Sequence, residues 1–474
     1  MKNILFIKTF MNSGIGASLP ETDLFISASF IENRNPNSYD YTFFNVGYDY
    51  TTETAFTDTI KRNNFDIVLF SANAWETQNL HELCKIIKTV NEKIVVCVSG
   101  QLASIVKESL LKDKNIDVVI YGEPFVSFYE ILCAVESNTS FENIEGICYR
   151  RLNNVVVNRQ RPLYENVDDF RISNKIWDLV DIKKYSGSLS WNGLNKNKYY
   201  IPIISSFGCN FLCSYCTNRL FLGNQFRVRS TKSVVDEIEY LVNKFNIYEI
   251  HFFDAVFNSD INRSKELLKE IINRKIKISI AFPHGLRIDK TDEELIKLFK
   301  EAGVYKLTYA IETASTRLQK QIKKNIDLEK AKKIIELTAK QKIIVCGYFM
   351  LGFDTESEEE MSETIKYACD SDFDIASFFK YSPMYEQALK IYTTKQNLID
   401  FSYFSNNLNN KESIKINYYI LLAQRKFYLN FKRLFRLFIK SERKVSITVQ
   451  IIKAISIILQ GYIVSQLFYN YKKD

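Results

Sequence analysis

Continuous apolar runs alternating with amphipathic stretches constrain this chain more than any other feature. Before residue 135 the runs "NILFIKTF" (3–10), "FDIVLFSAN" (65–73), "KIVVCVSG" (93–100) and "IDVVIYGE" (116–123) are rich in β-branched residues. Helical patterns such as "TQNLHELCKIIKTVN" (77–91) separate them. A strand apolar on both sides must be covered on both sides. The series therefore predicts an α/β fold over 1–139, a Rossmann-like, doubly wound parallel sheet. Its strands end in small or polar residues, among them Ser71, Asn73, Gly100, Gln101 and Gly122. Ligands of open parallel sheets bind at those carboxyl ends. Tight strand–helix turns would use the same residues.

A second series begins at 199 with "YYIPIISSF" (199–207), "YEIHFFD" (248–254), "IKISIAF" (276–282), "VYKLTYAIE" (304–312), "IIVCGYFMLG" (343–352) and "DIASFFKYS" (374–382). Helical segments fill the gaps near 231–245, 261–274, 291–302, 327–341 and 357–369, the first opening on the cap candidates Ser230 and Thr231. Six strands with five intervening helices predict a partial (β/α)6 barrel over 199–382, with its active site at the carboxyl ends of the strands. Residues 140–198 read as a connector: a small hairpin turning at Asn153-Asn154, then an irregular acidic stretch.

Residues 383–474 read as a helical tail. They carry 15 Lys and Arg against 5 Asp and Glu, a balance of +10, whereas the whole chain is at +8. The body ahead of the tail is therefore at −2 and shows no nucleic-acid footprint. "RKFYLNFKRLFRLFIKSERK" (425–444) is basic and amphipathic; "VSITVQIIKAISIILQGYIVSQLF" (445–468) is apolar but broken by Gln450, Lys453 and Gln460. That argues against a spanning helix. A lid packed on the barrel with its cations in water is one reading, and a peripheral membrane contact is the other. The N-terminal apolar run is too short for a signal peptide, so the nine cysteines are expected reduced, in a cytoplasmic protein.

Three of those cysteines crowd into "GCNFLCSYC" (208–216): Cys209, Cys213 and Cys216. They follow the first barrel strand directly, so they sit in a loop at the catalytic end. Three such thiolates can hold three irons of a [4Fe–4S] cluster and leave the fourth iron to a non-protein ligand. A zinc site would more often show paired C-x2-C elements or histidines. The chain has three histidines and none lies near this loop in sequence. The other six cysteines are scattered through helices and strands, where a lone Cys behaves as a small hydrophobe.

The C-x3-C-x2-C loop, with Tyr215 as its aromatic residue, resembles that of the radical S-adenosylmethionine (radical SAM) enzymes. In that family SAM binds the open iron, and reductive cleavage yields a 5′-deoxyadenosyl radical. The resemblance continues in "IHFFDAVFNSD", where Asp254 matches the first acid of a two-acid segment and Ala255 replaces the second. "LTYAIETAS" resembles the fourth-strand segment with Glu312 at its glutamate, and "HGLRID" resembles a third-strand end with Arg287. It implies that Asp254 and Glu312 meet polar groups of SAM, and that Arg287 meets its carboxylate. Backbone near Val345 and Gly347 would meet adenine, and Arg227 and Arg229 of "FRVRS" would face the pocket.

The N-terminal domain resembles the cobalamin-binding domain of one large subfamily, through "CVSGQLAS" and "IDVVIYGEP". Many cobalamin proteins place a cobalt-ligating His after the first strand. Here that region reads "KTFMNSGIG", so either cobalamin binds without a protein histidine or the domain binds none. His81, in a helical stretch, reads as a surface or packing residue. The resemblance implies a cobalamin-dependent methyltransferase acting on an unactivated carbon of a small-molecule or natural-product substrate, served by an electron donor such as flavodoxin or ferredoxin. A radical cyclase or rearrangement enzyme with a degenerate cobalamin domain is the alternative, and a non-catalytic binding protein a further one. A methylthiotransferase would need a second three-cysteine set, and Cys84, Cys97 and Cys133 are too dispersed for one.

Overall fold

The computed structural model describes residues 2–9, 21–73, 77–152, 154–185, 195–381 and 411–471. The first sheet contains β1 (Lys2–Lys8), β2 (Tyr39–Asn45), β3 (Ile67–Ser71), β4 (Val95–Ser99), β5 (Val118–Ile120), β6 (Ile147–Arg151) and β7 (Asn154–Val157). Its order is β2-β1-β3-β4-β5-β6-β7, with β1 to β5 parallel and β6 and β7 antiparallel. Ile4, Phe6, Ile67 and Leu69 face one helical layer; Leu5, Ile7, Val68 and Phe70 face the other. The alternation of a doubly wound sheet is thus complete along β1 and β3. The strand order reverses between β1 and β3, where such sheets open a crevice.

Two features of this domain differ from the sequence reading. Strand β2, "YDYTFFN", went unrecognised because it mixes polar residues with aromatics and has no aliphatic run; it is an edge strand. The 147–157 hairpin is not a free connector. It extends the sheet, with Ile147 opposite Ile120 and Cys148 opposite Val119. Burial of Ile147 and Cys148 explains the pairing, which also covers the open edge of the short β5. The turn residue Asn153 lies outside the described residues, as do residues 10–20 after β1, where the missing histidine was noted.

The second unit starts with β8 (Ile201–Ile203), after which β9 (Ser206–Phe207) and β10 (Arg227–Val228) make a two-stranded antiparallel ladder. Strands β11 (Glu249–Phe252), β12 (Ser279–Leu286), β13 (Val304–Glu312), β14 (Ile344–Leu351) and β15 (Ile375–Lys380) complete an all-parallel sheet, ordered β15-β14-β13-β12-β11-β8. The predicted helices appear at Thr231–Phe245, Ile261–Asn273, Glu293–Glu301, Leu328–Lys340 and Glu358–Asp370. Ser230 caps the first by accepting the Ser233 N–H, at 3.2 Å. This is the partial barrel with six strands.

The tail forms helices Lys411–Tyr428, Phe431–Lys440 and Lys444–Tyr471; residues 382–410 lie outside the described set. Its key cations are not in water. Arg433 donates to the carbonyls of Phe373, Phe427 and Cys369 at 2.9, 2.8 and 2.7 Å. Arg436 and Lys440 both reach the fully buried Asp374, each at 2.7 Å. The cations dock the helix, and its apolar side faces outward: Phe431 is 82% exposed and Ile439 59%. Among the described residues no helix is long and apolar enough to cross a membrane.

Two contacts tie the units together where their strand ends meet. Arg227 donates to Glu123 in a buried ion pair, with Nη1 to Oε2 at 2.9 Å. Gln101 Nε2 donates to Thr217 Oγ1 at 2.8 Å in a buried contact. Gln101 follows β4 and Thr217 follows Cys216, so the carboxyl edge of the first sheet abuts the cysteine loop.

Candidate active site

The cysteine loop is shaped by backbone. Gly208 has φ 78°, and a Cβ there would lie 2.0 Å from the Gln225 carbonyl oxygen, so only glycine fits. The Cys216 N–H donates to the Cys213 carbonyl at 3.2 Å, a tight turn, and the Ser214 N–H donates to the Ile322 carbonyl at 3.0 Å. Cys209, Cys213 and Cys216 are each half-buried and free of disulfides. Burial pushes the Cys216 thiol up to about 11, and its two sister thiols push the same way. Burial also raises Cys209, against the pull of Lys324 and Arg287. These are thiols that need a cation to ionise, as cluster ligands do. Among the described residues no three His, Cys, Asp or Glu side chains converge as ligands of one metal ion.

Tyr215 joins this loop to the end of β13. Its hydroxyl donates to Glu312 Oε1 at 2.8 Å, and Lys324 Nζ meets the same oxygen at 3.2 Å in a buried ion pair. Glu312 sits at φ 72° next to a register shift in β13. A non-glycine residue in that region costs about 1–3 kcal/mol and persists only where surroundings hold it, here Tyr215 and Lys324. Arg287 completes the group. It is buried, pairs with Asp289 at 2.8 Å, donates to the Lys324 carbonyl at 3.0 Å and lies 4.1 Å over the Phe211 ring. Its Nη1 is buried with no hydrogen-bond partner. The structure brings Tyr215, Glu312 and Arg287, all singled out in the sequence, together with Lys324, which lies in "KQIKKNID" with no motif to mark it.

Other expected site residues lie elsewhere. Asp254 is buried beneath the loop, where both oxygens are taken. Ser205 Oγ donates at 2.7 Å, the Ser205 N–H at 3.3 Å, and Ser206 Oγ donates too. Burial raises its pKa, opposed by Arg263. Asp254 therefore braces the segment ahead of the cysteines. Val345 and Gly347 fall in the first half of β14, with Gly347 level with Tyr309 rather than Glu312. Val345 is further committed, its N–H and carbonyl both bonded to Asp374 at 2.9 and 2.8 Å. Four strand residues at roughly 3.3 Å each separate Gly347 from the end of β14. The part of β14 that reaches the site is its end, where Met350 and Phe353 pack with Tyr215. Arg227 and Arg229 do not face the pocket either. Arg227 holds Glu123, and Arg229 pairs with the buried Glu237 at 2.6 Å.

In the first sheet, Ser71, Asn73, Gly100, Gln101 and Gly122 do share the carboxyl edge. Ser71 is buried and bonds Asp23. Gly100 has φ 97°, and a Cβ would lie 2.8 Å from the Ala72 carbonyl oxygen, so the turn after β4 demands glycine. The Gly122 N–H donates to Ser104 Oγ at 3.0 Å. His81 pairs with Asp113 at 2.6 Å, as a packing residue would.

The residues present fit the expected cofactors. Three half-buried cysteines in one loop, with Lys324 and Arg287 acting on Cys209, suit a cluster, and the orphaned Arg287 donor suits a carboxylate. A small-residue edge facing the cysteine loop suits a second cofactor between the units. The Lys324–Glu312 pair is testable without any cofactor. Lys324→Met leaves a buried carboxylate unpaired and should lower stability by about 3 kcal/mol in denaturant unfolding. Adding Glu312→Gln should recover most of that loss, a coupling that unlinked residues would not show.

The radical SAM superfamily profile matches residues 203–368, and the B12 binding domain profile matches residues 35–131. An uncharacterized methyltransferase of Pyrococcus horikoshii is 28% identical over 341 residues, 72% of each chain. The cytidylyl-2-hydroxyethylphosphonate methyltransferase of Streptomyces wedmorensis is 28% identical over 352 residues, 69% of this chain and 66% of that one. The structure of the radical SAM methyltransferase TsrM from Kitasatospora setae, with cobalamin and a [4Fe–4S] cluster bound, superposes with a TM-score of 0.67. It covers 82% of this chain and 74% of that one at 16% identity, so it shows a shared fold. The two profiles fall in the same order as the two sheets, and the cysteine loop lies inside the second: the chain is a radical SAM superfamily enzyme with an N-terminal B12-binding domain.

Proposed function

We propose that this chain is a cobalamin-dependent methyltransferase acting on an unactivated carbon of a small molecule. The observation that carries the reading is the Gln101–Thr217 hydrogen bond, which seats the B12-domain edge against the residue after Cys216. When bound, the cluster supplies one electron for reductive SAM cleavage and cobalamin supplies a transferable methyl group. The chain's own residues hold and shield. Cys209, Cys213 and Cys216 would ligate three irons. Arg287 would give its free Nη1 to the SAM carboxylate, and Glu312, fixed by Tyr215 and Lys324, would accept from the SAM amine. The buried Arg227–Glu123 pair holds the units together and keeps water from their contact. The two relatives above are named for methyl transfer, while an anaerobic magnesium-protoporphyrin IX monomethyl ester cyclase of Cereibacter sphaeroides, 26% identical over 352 residues, keeps ring formation as the second reading. A flavodoxin or ferredoxin would deliver the electron.

Anaerobic reconstitution with iron, sulfide, reductant, SAM and cobalamin tests this. The expected result is 5′-deoxyadenosine release together with retained cobalamin. Gly100→Val, which drives a side chain into the Ala72 carbonyl, should lose the cobalamin absorbance while still releasing 5′-deoxyadenosine. A protein that cleaves SAM but never retains cobalamin would contradict methyl transfer.

The protein is proposed to work in the cytoplasm with a peripheral membrane contact through its tail. Phe431, Phe435 and Ile439, then Val445, Val449 and Ile452, are exposed at helical spacing on adjacent helices. Lys432, Arg443 and Lys444 flank them, a pattern suited to an anionic lipid surface. The full chain should co-sediment with vesicles containing phosphatidylserine, and Phe435→Asp should weaken that binding about tenfold. Binding unchanged in that variant would remove the membrane from the account.

A further inference from the structure

His284 belongs to none of the contacts described so far. It sits in β12 across a register irregularity between Phe282 and Leu286. Such bulges re-aim a side chain, and here the direction can be traced from its neighbours. Phe252 stacks on Phe282, and Phe282 packs on Phe299 of the Glu293–Glu301 helix, so both face the outer helical layer. Phe253, next along, therefore faces the barrel lumen. The His284 ring stacks on Phe253, with centroids 4.5 Å apart and planes 29° apart. On the far side of the sheet the same alternation holds. Phe349 and Phe378 stack together, and Phe378 meets Phe427 of the tail helix, outside the barrel. Tyr348 and Phe379 are then inward, in edge contact at 5.4 Å. Gly285 closes the ring of contacts, since a Cβ on it would touch Ala310 and Tyr348 at 3.2 and 3.7 Å.

His284 keeps exposed surface, and desolvation by the chain around it lowers its pKa to about 4. The ring is therefore neutral near pH 7. A neutral imidazole carries one N–H donor and one nitrogen with its lone pair, so the ring can accept a hydrogen bond. The Tyr348 hydroxyl is committed to the Pro283 carbonyl at 2.6 Å. Phe379, by contrast, is 42% exposed on this inner side. The wall is aromatic, and His284 supplies its acceptor.

We propose that Phe253, His284, Tyr348 and Phe379 form the substrate subsite, which takes a flat, largely apolar molecule bearing one O–H or N–H that donates to His284. The inference rests on the barrel being catalytic, and it narrows the substrate class.

The test uses the full chain, 15N-labelled at histidine, in which only His81, His251 and His284 contribute ring signals. The probes are 2-naphthol, which carries one donor, and 2-methoxynaphthalene, which carries none. The expected result is saturable movement of the His284 signal with 2-naphthol and tighter binding of 2-naphthol than of its methyl ether. His284→Phe should erase that preference, weakening 2-naphthol about fivefold to tenfold and leaving the ether unchanged. His284→Gln, which keeps an acceptor, should restore part of it and excludes misfolding as the cause. Equal binding of both probes, binding of neither, or movement confined to His81 or His251 would overturn the proposal. Wild-type protein that keeps the naphthol preference but fails to cleave SAM would instead sink the radical reading alone.

Discussion

Strand direction is the constraint on which this molecule depends. Both sheets are built from parallel strands, so each gathers its loop-borne polar residues at one edge and leaves the other edge to packing. The chain places the two functional edges face to face. Gln101 leaves the end of β4 and Thr217 leaves the cysteine loop, and they meet in a buried hydrogen bond. Glu123, just beyond β5, and Arg227, in β10, meet in a buried ion pair beside it. Each would be costly to leave unpaired in a low-dielectric interface, so the pair fixes how the edges register.

Within the barrel, a second set of polar contacts fixes the site. Glu312 adopts a left-handed backbone that most residues avoid, and Tyr215 and Lys324 hold it there. Lys324 also gives its carbonyl to Arg287, which lies over Phe211 of the cysteine loop. One lysine thus links the ends of β12 and β13 to the loop. Opposite the site, Arg433, Arg436 and Lys440 anchor the tail to the carbonyls and acids around Asp374. Three of the tail's cations, read in sequence as solvated, instead dock it to the barrel.

The sequence made the parallel strands legible because their apolar runs are continuous, and all six barrel strands fall within a few residues of where they were read. Edge strands were harder: β2 carries mixed residues, and the 147–157 hairpin belongs to a sheet whose edge lies far back in the chain. The cysteines, Tyr215, Glu312 and Arg287 stand out by spacing and by motif. Lys324 does not, because its role comes from a loop that folds back on the site. Val345 and Gly347 lie near the motif in sequence, and strand length sets them in the first half of β14, away from its carboxyl end. Asp254 was found, yet two serines occupy it.

The central claim is that Cys209, Cys213 and Cys216 together hold a cluster with one iron left open. Iron and acid-labile sulfide, counted per chain after anaerobic reconstitution, test it most directly. The account predicts about four of each for the native chain and near-complete loss in Cys213→Ala. A chain in which all three cysteines are replaced and iron is still retained would contradict it.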